Sequence, residues 1–541
     1  MARRTSRSAR IAALGLLVQT DAFRSAPLLY LQGIAWRIRG LRVRSRNRLA
    51  VLAGRSPHAY ALWIAQRERI EAQSQMAGPE IWPIVDCRRG CEGLPETLAS
   101  IAEAGLPASP ILIGGEPAEG THHIRSPGNI RALFKEPNDA WLLPLRPGDH
   151  LARNAFAAYA TAAAKAHTAW VIYADDDLIS NGRRSKPHFK PDWNPELFEH
   201  HDYVSGSCIL RFDFEADELP AGDDWIEAAT RLAIAKAPPL HLRQVLHHRR
   251  ARPLPIVPAR PADMSHRALP PVTTIIPTRN GLELLRTSIE GVRQTVYGSV
   301  ETIVIDNGSD DTATLAYLES LEREGATILR MPGPFNYSTL NNAAVEHATG
   351  ELLCFLNNDV EIMDGDWLAV LAQHAVKPDM GAVGARLLYP DGSIQHAGVF
   401  TGIGGGAGHA HRYQKADTEG YFSRARLPQR VSAVTAACMV VEKRKFLAVG
   451  GFDEVRFPVA FNDVDLCMKL NSRGWQSFYE PRATLIHHES KTRGADRSKE
   501  KRARFARELA TLKQVWGTDK ACDPYHHPSL SPFCEEFLVR L

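Results

Sequence analysis

Apolar residues recur along this chain in two registers: short uninterrupted runs of four to seven, and longer stretches with helical spacing between them. Runs without polar interruption fit strands covered on both faces, as in a mostly parallel sheet. The clearest is LLCFLNNDVEI at 352–362, where five apolar residues give way at once to Asn357, Asn358 and Asp359. Before it, the pattern predicts strands at IWPIV, PILIGG, AWLLPL and WVIYADDD, with helices over 94–104 and 154–167. After a Pro-rich span at 252–271 it predicts strands at VTTIIP, ETIVIDNGS and ATILRMP, and helices over 282–294, 312–324 and 339–348. Helices are also expected at 60–73 and 498–516, and an amphipathic one at 28–48.

The two halves repeat each other. IVDCRRG at 84–90 matches IIPTRNG at 275–281, and VLHHRR at 245–250 matches LIHHES at 485–490. We read this as a duplication of one α/β unit of about 200 residues. The copies differ in polar residues at strand ends. Where the second has Asp306, the first has Gly114 or Gly115; where the second has Asn357, Asn358 and Asp359, the first keeps only Asp149.

Composition changes the picture mainly at the N-terminus. The 541 residues carry a net charge of only +4, which gives no reason to expect nucleic acid. Yet residues 1–57 hold twelve arginines against the single acid Asp21. No run there reaches the roughly 20 apolar residues of a spanning helix, so an anionic membrane surface is the candidate partner for this region. A solvated helix packed on its own protein is the plainer reading. Eight cysteines lack paired metal-ligand spacing and fit a reducing cytoplasm.

Candidate chemistry gathers in the second half: Asp306 in IDNGSDD, Asp359 in LNNDVEI, Asp463 and Asp465 in FNDVDLCMKL, and His487 and His488 in IHHES. A doubly wound sheet brings such strand ends together. Several carboxylates suit a hard divalent ion, and a separate one suits a general base. Each has a plainer role: Asn and Asp cap turns, and Asp465 is placed to cap or brace a helix. The glycines of 402–408 lack the strand and helix context of a phosphate cradle and are expected in a flexible loop on the acceptor side.

Taken in order, TIIPTRNG, VIDNGSDD, FNYSTLNNAAVEHATGELLCFLNNDVEI, GHAHRY, VTAACMVVEKRKFLAVGGFDE, FNDVDLCMKLNSRGW and HHESKTRG resemble the inverting glycosyltransferases of family 2 over about 270–494. The nearest subgroup is the bacterial enzymes of O-antigen and related surface polysaccharides, several of them similar to rhamnosyltransferases. The resemblance implies a GT-A fold and a UDP- or dTDP-sugar donor. It implies that Asp306 reads the base, with Pro277 and Arg279 lining its pocket, and that Asn357 and Asn358 lie against the donor. Asp359 would bind Mg²⁺ or Mn²⁺, completed by one of His487 or His488, and Asp463 would be the catalytic base.

The expectation is therefore an α/β protein of two tandem GT-A-like, Rossmann-like domains, each with a mostly parallel sheet. A basic helical region spans 1–78, a degenerate domain 79–262, the catalytic domain 270–495, and a helix and tail 496–541. Asp175, Asp176 and Asp177 offer a second site in the first domain, but without an acid to read the base a degenerate domain is preferred. The expected function is transfer of a sugar to a glycan or lipid-linked acceptor, in the cytoplasm or at the inner face of the membrane. A glycan-binding scaffold that kept the fold and a nucleotidyltransferase are the rivals.

Overall fold

The computed structural model describes residues 2–67, 78–105, 108–134, 140–213, 217–260, 268–488 and 498–541, with side chains from residue 7. The chain forms two compact units, Met1–Ile256 with Leu538–Leu541, and Val257–Phe537. The basic N-terminal helices thus belong to the first unit, and the C-terminal helix to the second.

The first unit opens with α1 (Ala2–Ser25), α2 (Pro27–Ile38), α3 (Arg42–Gly54) and α4 (Ala59–Arg67). The single helix expected over 28–48 is two, broken at Gly40, whose φ of 76° lies in the left-handed region that other residues avoid. The part of the 60–73 expectation beyond Arg67 lies outside the described residues. Nine strands follow among the described residues: β1 (Ile81–Asp86), β2 (Ile111–Ile113), β3 (His122–Ile124), β4 (Ala140–Leu145), β5 (His150–Leu151), β6 (Val171–Ser180), β7 (Arg183–His188), β8 (Cys208–Phe212) and β9 (Leu240–Arg249). Their order is β3-β2-β1-β4-β8-β6-β9-β5, with β7 beside β6.

The second unit holds β10 (Val272–Thr278), β11 (Val300–Asp306), β12 (Thr327–Arg330), β13 (Leu352–Leu356), β14 (Val360–Ile362), β15 (Met380–Leu388), β16 (Ile394–His396), β17 (Val399–Thr401), β18 (Ala407–His409), β19 (Gln429–Val431), β20 (Cys438–Glu442) and β21 (Gln476–His487). Its main sheet runs β12-β11-β10-β13-β20-β15-β21-β14. This is the same order as in the first unit, strand for strand. In both, a parallel block (β1 with β2 and β4, β10 with β11 and β13) meets antiparallel neighbours (β4 with β8, β13 with β20, β14 with β21), so each sheet is mixed rather than mostly parallel as expected.

The uninterrupted run at 352–356 has its cause in this packing. Leu352, Cys354 and Leu356 join Leu368 and Leu371 of the helix Trp367–Ala375 in one core face. On the other face Phe355 meets Phe446 and Phe452, ring centroids 5.3 and 4.9 Å apart. Each such side chain contributes about 1.5–3 kcal/mol by leaving water, and a polar residue anywhere in the run would be stranded. Neighbouring helices start at side-chain caps: Asp311 Oδ2 accepts from Thr314 N (2.8 Å) and Asn336 Oδ1 from Thr339 N (3.1 Å).

The glycine-rich stretch is no flexible loop. It forms a tight turn between β17 and β18, in which a Cβ on Gly406 would come within 2.5 Å of Leu509 on the C-terminal helix Lys499–Trp516. Gly404 N donates to Pro532 O at 2.8 Å. The tail is fixed as firmly. Arg424, 2% exposed, stacks between Phe400 and Phe537 and donates to Tyr525 O at 2.8 Å.

Candidate functional site

The carboxyl ends of β10, β11 and β13 lie side by side in the second unit, as the register Thr278↔Asp306 and Ile275↔Phe355 requires. Asn280 ties the first two loops together: its Nδ2 donates to Asp310 Oδ1 (2.8 Å), and its Oδ1 accepts from Asp310 N (3.0 Å) and Asp311 N (3.1 Å). Asp306 is 3% exposed; Oδ1 accepts from Ser309 N (2.9 Å) and Oδ2 from Arg330 Nη1 (2.9 Å). Pro277 is buried in β10, while Arg279 at the loop tip is exposed. Asn358, also buried, donates from Nδ2 to Thr278 Oγ1 at 3.0 Å, stapling the ends of β10 and β13.

Asp359 follows on the short link from β13 to β14. Because β14 pairs antiparallel with β21, Val360↔His487, the histidine is delivered to the aspartate. His487 Nε2 lies 3.0 Å from Asp359 Oδ1 and 3.3 Å from Asn357 Nδ2. Its Nδ1 lies 2.8 Å from Gln395 Oε1. A carboxamide oxygen only accepts, so Nδ1 donates to Gln395 and Nε2 is the ring atom that meets the carboxylate. An imidazole Nε2 and a carboxylate oxygen 3.0 Å apart share a proton when Nε2 carries one, and can ligate one cation when it does not. Asn357 Oδ1, buried beside them, has no hydrogen-bond partner among the described residues. These residues therefore fit a divalent ion. His488 turns away, its Nε2 2.8 Å from Glu361 Oε2 and its N–H donated to Asp359 O at 2.9 Å.

Asp463 stands in the first turn of the helix Asn462–Ser472, entered through Phe461 at φ 60°. Its Oδ1 accepts from Val464 N (2.8 Å) and its Oδ2 from Ala436 N (3.3 Å). Burial raises its carboxyl above the ordinary value, against the pull of these N–H donors and the Thr435 hydroxyl. Ala437 O, one residue on, accepts from Asn357 N at 3.0 Å. An unbroken run of polar contacts thus joins the Asp463 carboxylate, through 436–437 and Asn357, to His487 and Asp359. Asp465 points elsewhere: Oδ1 accepts from Trp516 Nε1 (2.9 Å) and Oδ2 lies 3.1 Å from Lys469 Nζ. It braces the C-terminal helix.

The duplicated positions of the first unit are filled by its own side chains. The Arg88 guanidinium makes two bonds to Asp86 (2.9 and 3.0 Å), and the side chain lies over Gly114, the counterpart of Asp306. Asp149 accepts from Arg250 N at 2.9 Å, and burial raises its carboxyl. The histidines are one register apart from those of the second unit, since β5 pairs His150 with His248, whose Nδ1 lies 2.8 Å from Asp177. Asp177 also takes Tyr60 and Arg184, Asp176 takes Lys190 and Arg252, and Asp175 lies 3.1 Å from His241. The aspartate trio is a buried charge network.

Sequence reasoning missed Gln395 and the 435–437 main chain. The signal for Gln395 was a polar pair, Gln395–His396, inside a three-residue strand that is buried throughout.

Residues 273–419 match the family Glycosyl transferase family 2. The second unit thus contains a family 2 glycosyltransferase domain. Similar proteins include the uncharacterized protein y4gI of Sinorhizobium fredii, 38% identical over 68% of this chain and 46% of that protein. The O-antigen biosynthesis protein RfbC of Myxococcus xanthus is 34% identical over 67% of this chain and 31% of that protein. The N-acetylglucosaminyl-diphospho-decaprenol L-rhamnosyltransferase of Mycobacterium tuberculosis is 27% identical over 36% of this chain and 69% of that protein. The chain thus spans less than half the length of the first two. Among solved structures, a mannosyltransferase of Pyrobaculum calidifontis in complex with GDP-Man and Mn²⁺ aligns with a TM-score of 0.36 at 18% identity, over 49% of this chain and 69% of that one. The family 2 match ends before Asp463 and His487, so the geometry above carries their case.

Proposed function

We propose that the family 2 domain transfers a sugar, a deoxyhexose such as rhamnose in the leading case, from a UDP- or dTDP-sugar to a glycan or lipid-linked acceptor of a bacterial surface polysaccharide, with inversion at the anomeric carbon. The observation that carries this is the contact run from Asp463 to Asp359: a carboxylate whose basicity burial raises, and an Asp–His pair, on one platform of strand ends.

In the proposed step, the acceptor hydroxyl gives its proton to the Asp463 carboxylate as its oxygen bonds the anomeric carbon. The bond from that carbon to the diphosphate oxygen breaks, and the electron pair leaves with the nucleotide. Asp359 and His487, with Asn357 Oδ1 beside them, would hold Mg²⁺ or Mn²⁺, which when bound supplies positive charge against the departing diphosphate. Asp306, held by Arg330, would accept from the base, with Pro277 and Arg279 at its rim. We read the first unit as degenerate, because Gly114 stands in place of Asp306, Asp149 is taken by the Arg250 N–H, and Asp176 and Asp177 are taken by neighbouring basic side chains and Tyr60.

No helix among the described residues is long and apolar enough to cross a membrane. An acceptor on a lipid carrier would be met at a membrane surface on the cytoplasmic side. The test is incubation of the full chain with a panel of UDP- and dTDP-sugars and Mn²⁺, following nucleoside diphosphate release. Release from at least one donor, abolished by Asp463→Asn with nucleotide binding retained, is the expected result. Glycan binding without turnover on any donor would instead establish a non-catalytic scaffold.

A further inference from the structure

The N-terminal helices carry apolar side chains on both faces, and only one face is covered. In α1, Ile11, Leu14, Val18 and Ala53 of α3 close a small core with Leu62 of α4. At about 100° per residue, Leu16 and Phe23 lie on the opposite side of α1 from Val18, and Leu16 is 70% exposed. In α2 the inward face is marked by Gly33, where a Cβ would come within 2.8 Å of Leu49 on α3. Leu28, Leu31 and Ile38 lie within about 40° of the point opposite Gly33, and they are 83%, 53% and 82% exposed. An apolar stripe turned to solvent, on a helix whose inner face is already packed, is not explained by the unit's own core.

The charge around it is of one sign. Nine arginines between residues 7 and 55 are exposed. The only acid in that span, Asp21, is engaged with Ser56 Oγ (2.6 Å) and His58 Nδ1 (2.8 Å). We propose that α1, α2 and α3 form a docking surface for an anionic lipid bilayer, with Leu28, Leu31 and Ile38 entering the headgroup boundary and the arginines meeting lipid phosphates. Charge decides the occupant. A second copy would set the same arginines against their like, whereas an anionic bilayer supplies both the counter-charge and an apolar layer.

The experiment is co-sedimentation of the full chain with vesicles of phosphatidylcholine alone or mixed with phosphatidylglycerol, at low and high salt. The chain should pellet with the anionic vesicles at low salt, and weakly with neutral vesicles or at high salt. The triple variant Leu28→Glu, Leu31→Glu, Ile38→Glu alters only exposed positions and should keep its circular dichroism spectrum while partitioning at least about tenfold less. Three results would overturn the proposal: no binding to anionic vesicles, equal binding to neutral ones, or undiminished binding by a folded triple variant. Self-association through this face, shown by ultracentrifugation and abolished by the same variant without any vesicle binding, would also overturn it. Vesicle binding needs neither donor nor acceptor, so its failure leaves the transfer reaction standing, and the converse holds too.

Discussion

Replacing Asp463 with asparagine should separate catalysis from folding. The change keeps the side-chain shape but removes the proton acceptor, a contribution of about 10²–10⁴-fold in rate, or roughly 3–5 kcal/mol of barrier. Stability should move far less. Asn has one acceptor oxygen for two main-chain donors, Val464 N at 2.8 Å and Ala436 N at 3.3 Å, so one bond is lost. That costs about 1 kcal/mol. Against it stands the relief of a buried charge. With the folded pKa raised, the carboxyl's favourable contribution is present in full below its unfolded value and fades as pH rises through the folded one. At neutral pH the ionised form therefore costs stability, and the neutral amide removes that cost. The net change in unfolding free energy should stay within about 1 kcal/mol. The assays are kcat/KM on the active donor, nucleoside diphosphate binding by calorimetry, and melting at pH 7. In the parent chain, the acid limb of the kcat/KM profile should lie above the ordinary carboxylate range. A folded variant that keeps kcat/KM within about threefold of the parent would refute Asp463 as the base.

Three further outcomes are expected. Gln395→Leu removes the acceptor that holds the His487 proton on Nδ1, and should raise the Mn²⁺ concentration for half-maximal activity about 10–100-fold, with kcat recovered at saturating metal; an unchanged metal requirement would exclude this positioning role. Glu480, where burial alone would raise the carboxyl, is held down to about 2 by Arg482 and His374. Its stabilisation, about 3 kcal/mol from that shift, is present above the unfolded value and lost as pH falls toward 2, so Glu480→Gln should flatten the dependence of urea unfolding on pH between 5 and 3 (range set by about one unit either side of the ordinary carboxylate value). Asp465→Ala leaves Trp516 Nε1 and the Lys469 ammonium without their carboxylate, and should destabilise by about 3 kcal/mol in urea unfolding; a loss under about 0.5 kcal/mol would show that the brace is dispensable.

The strands that build the site were legible because burial on both faces forces unbroken apolar runs. LLCFL shows this most plainly, with Asp359 marked by the abrupt polar end of its strand. The duplication was legible as well, and the identical strand orders are its structural counterpart. The supports of the site were not. Gln395 sits in a strand too short for any period to register, and Ala436 and Ala437 act through main-chain N–H and C=O groups that no side chain advertises. The choice of His487 over His488 depends on strand pairing, since alternate residues face opposite sides of β21. The glycines of 402–408 suggested looseness, whereas Gly406 is glycine because Leu509 lies on it. At the N-terminus, arginine-rich periodicity ran on through Gly40 and hid the break between α2 and α3.

On the proposed mechanism, Asp359, His487 and Asp463 line one cleft around a breaking sugar–phosphate bond. The most direct measurement is anomalous scattering from crystals grown with Mn²⁺ and the nucleoside diphosphate of the active donor. One manganese bonded to Asp359 and His487 and touching the diphosphate is expected, with the Asp463 carboxylate facing the empty sugar position across Asn357. Manganese bound in the first unit, or a diphosphate seated away from the ends of β11 and β13, would contradict it.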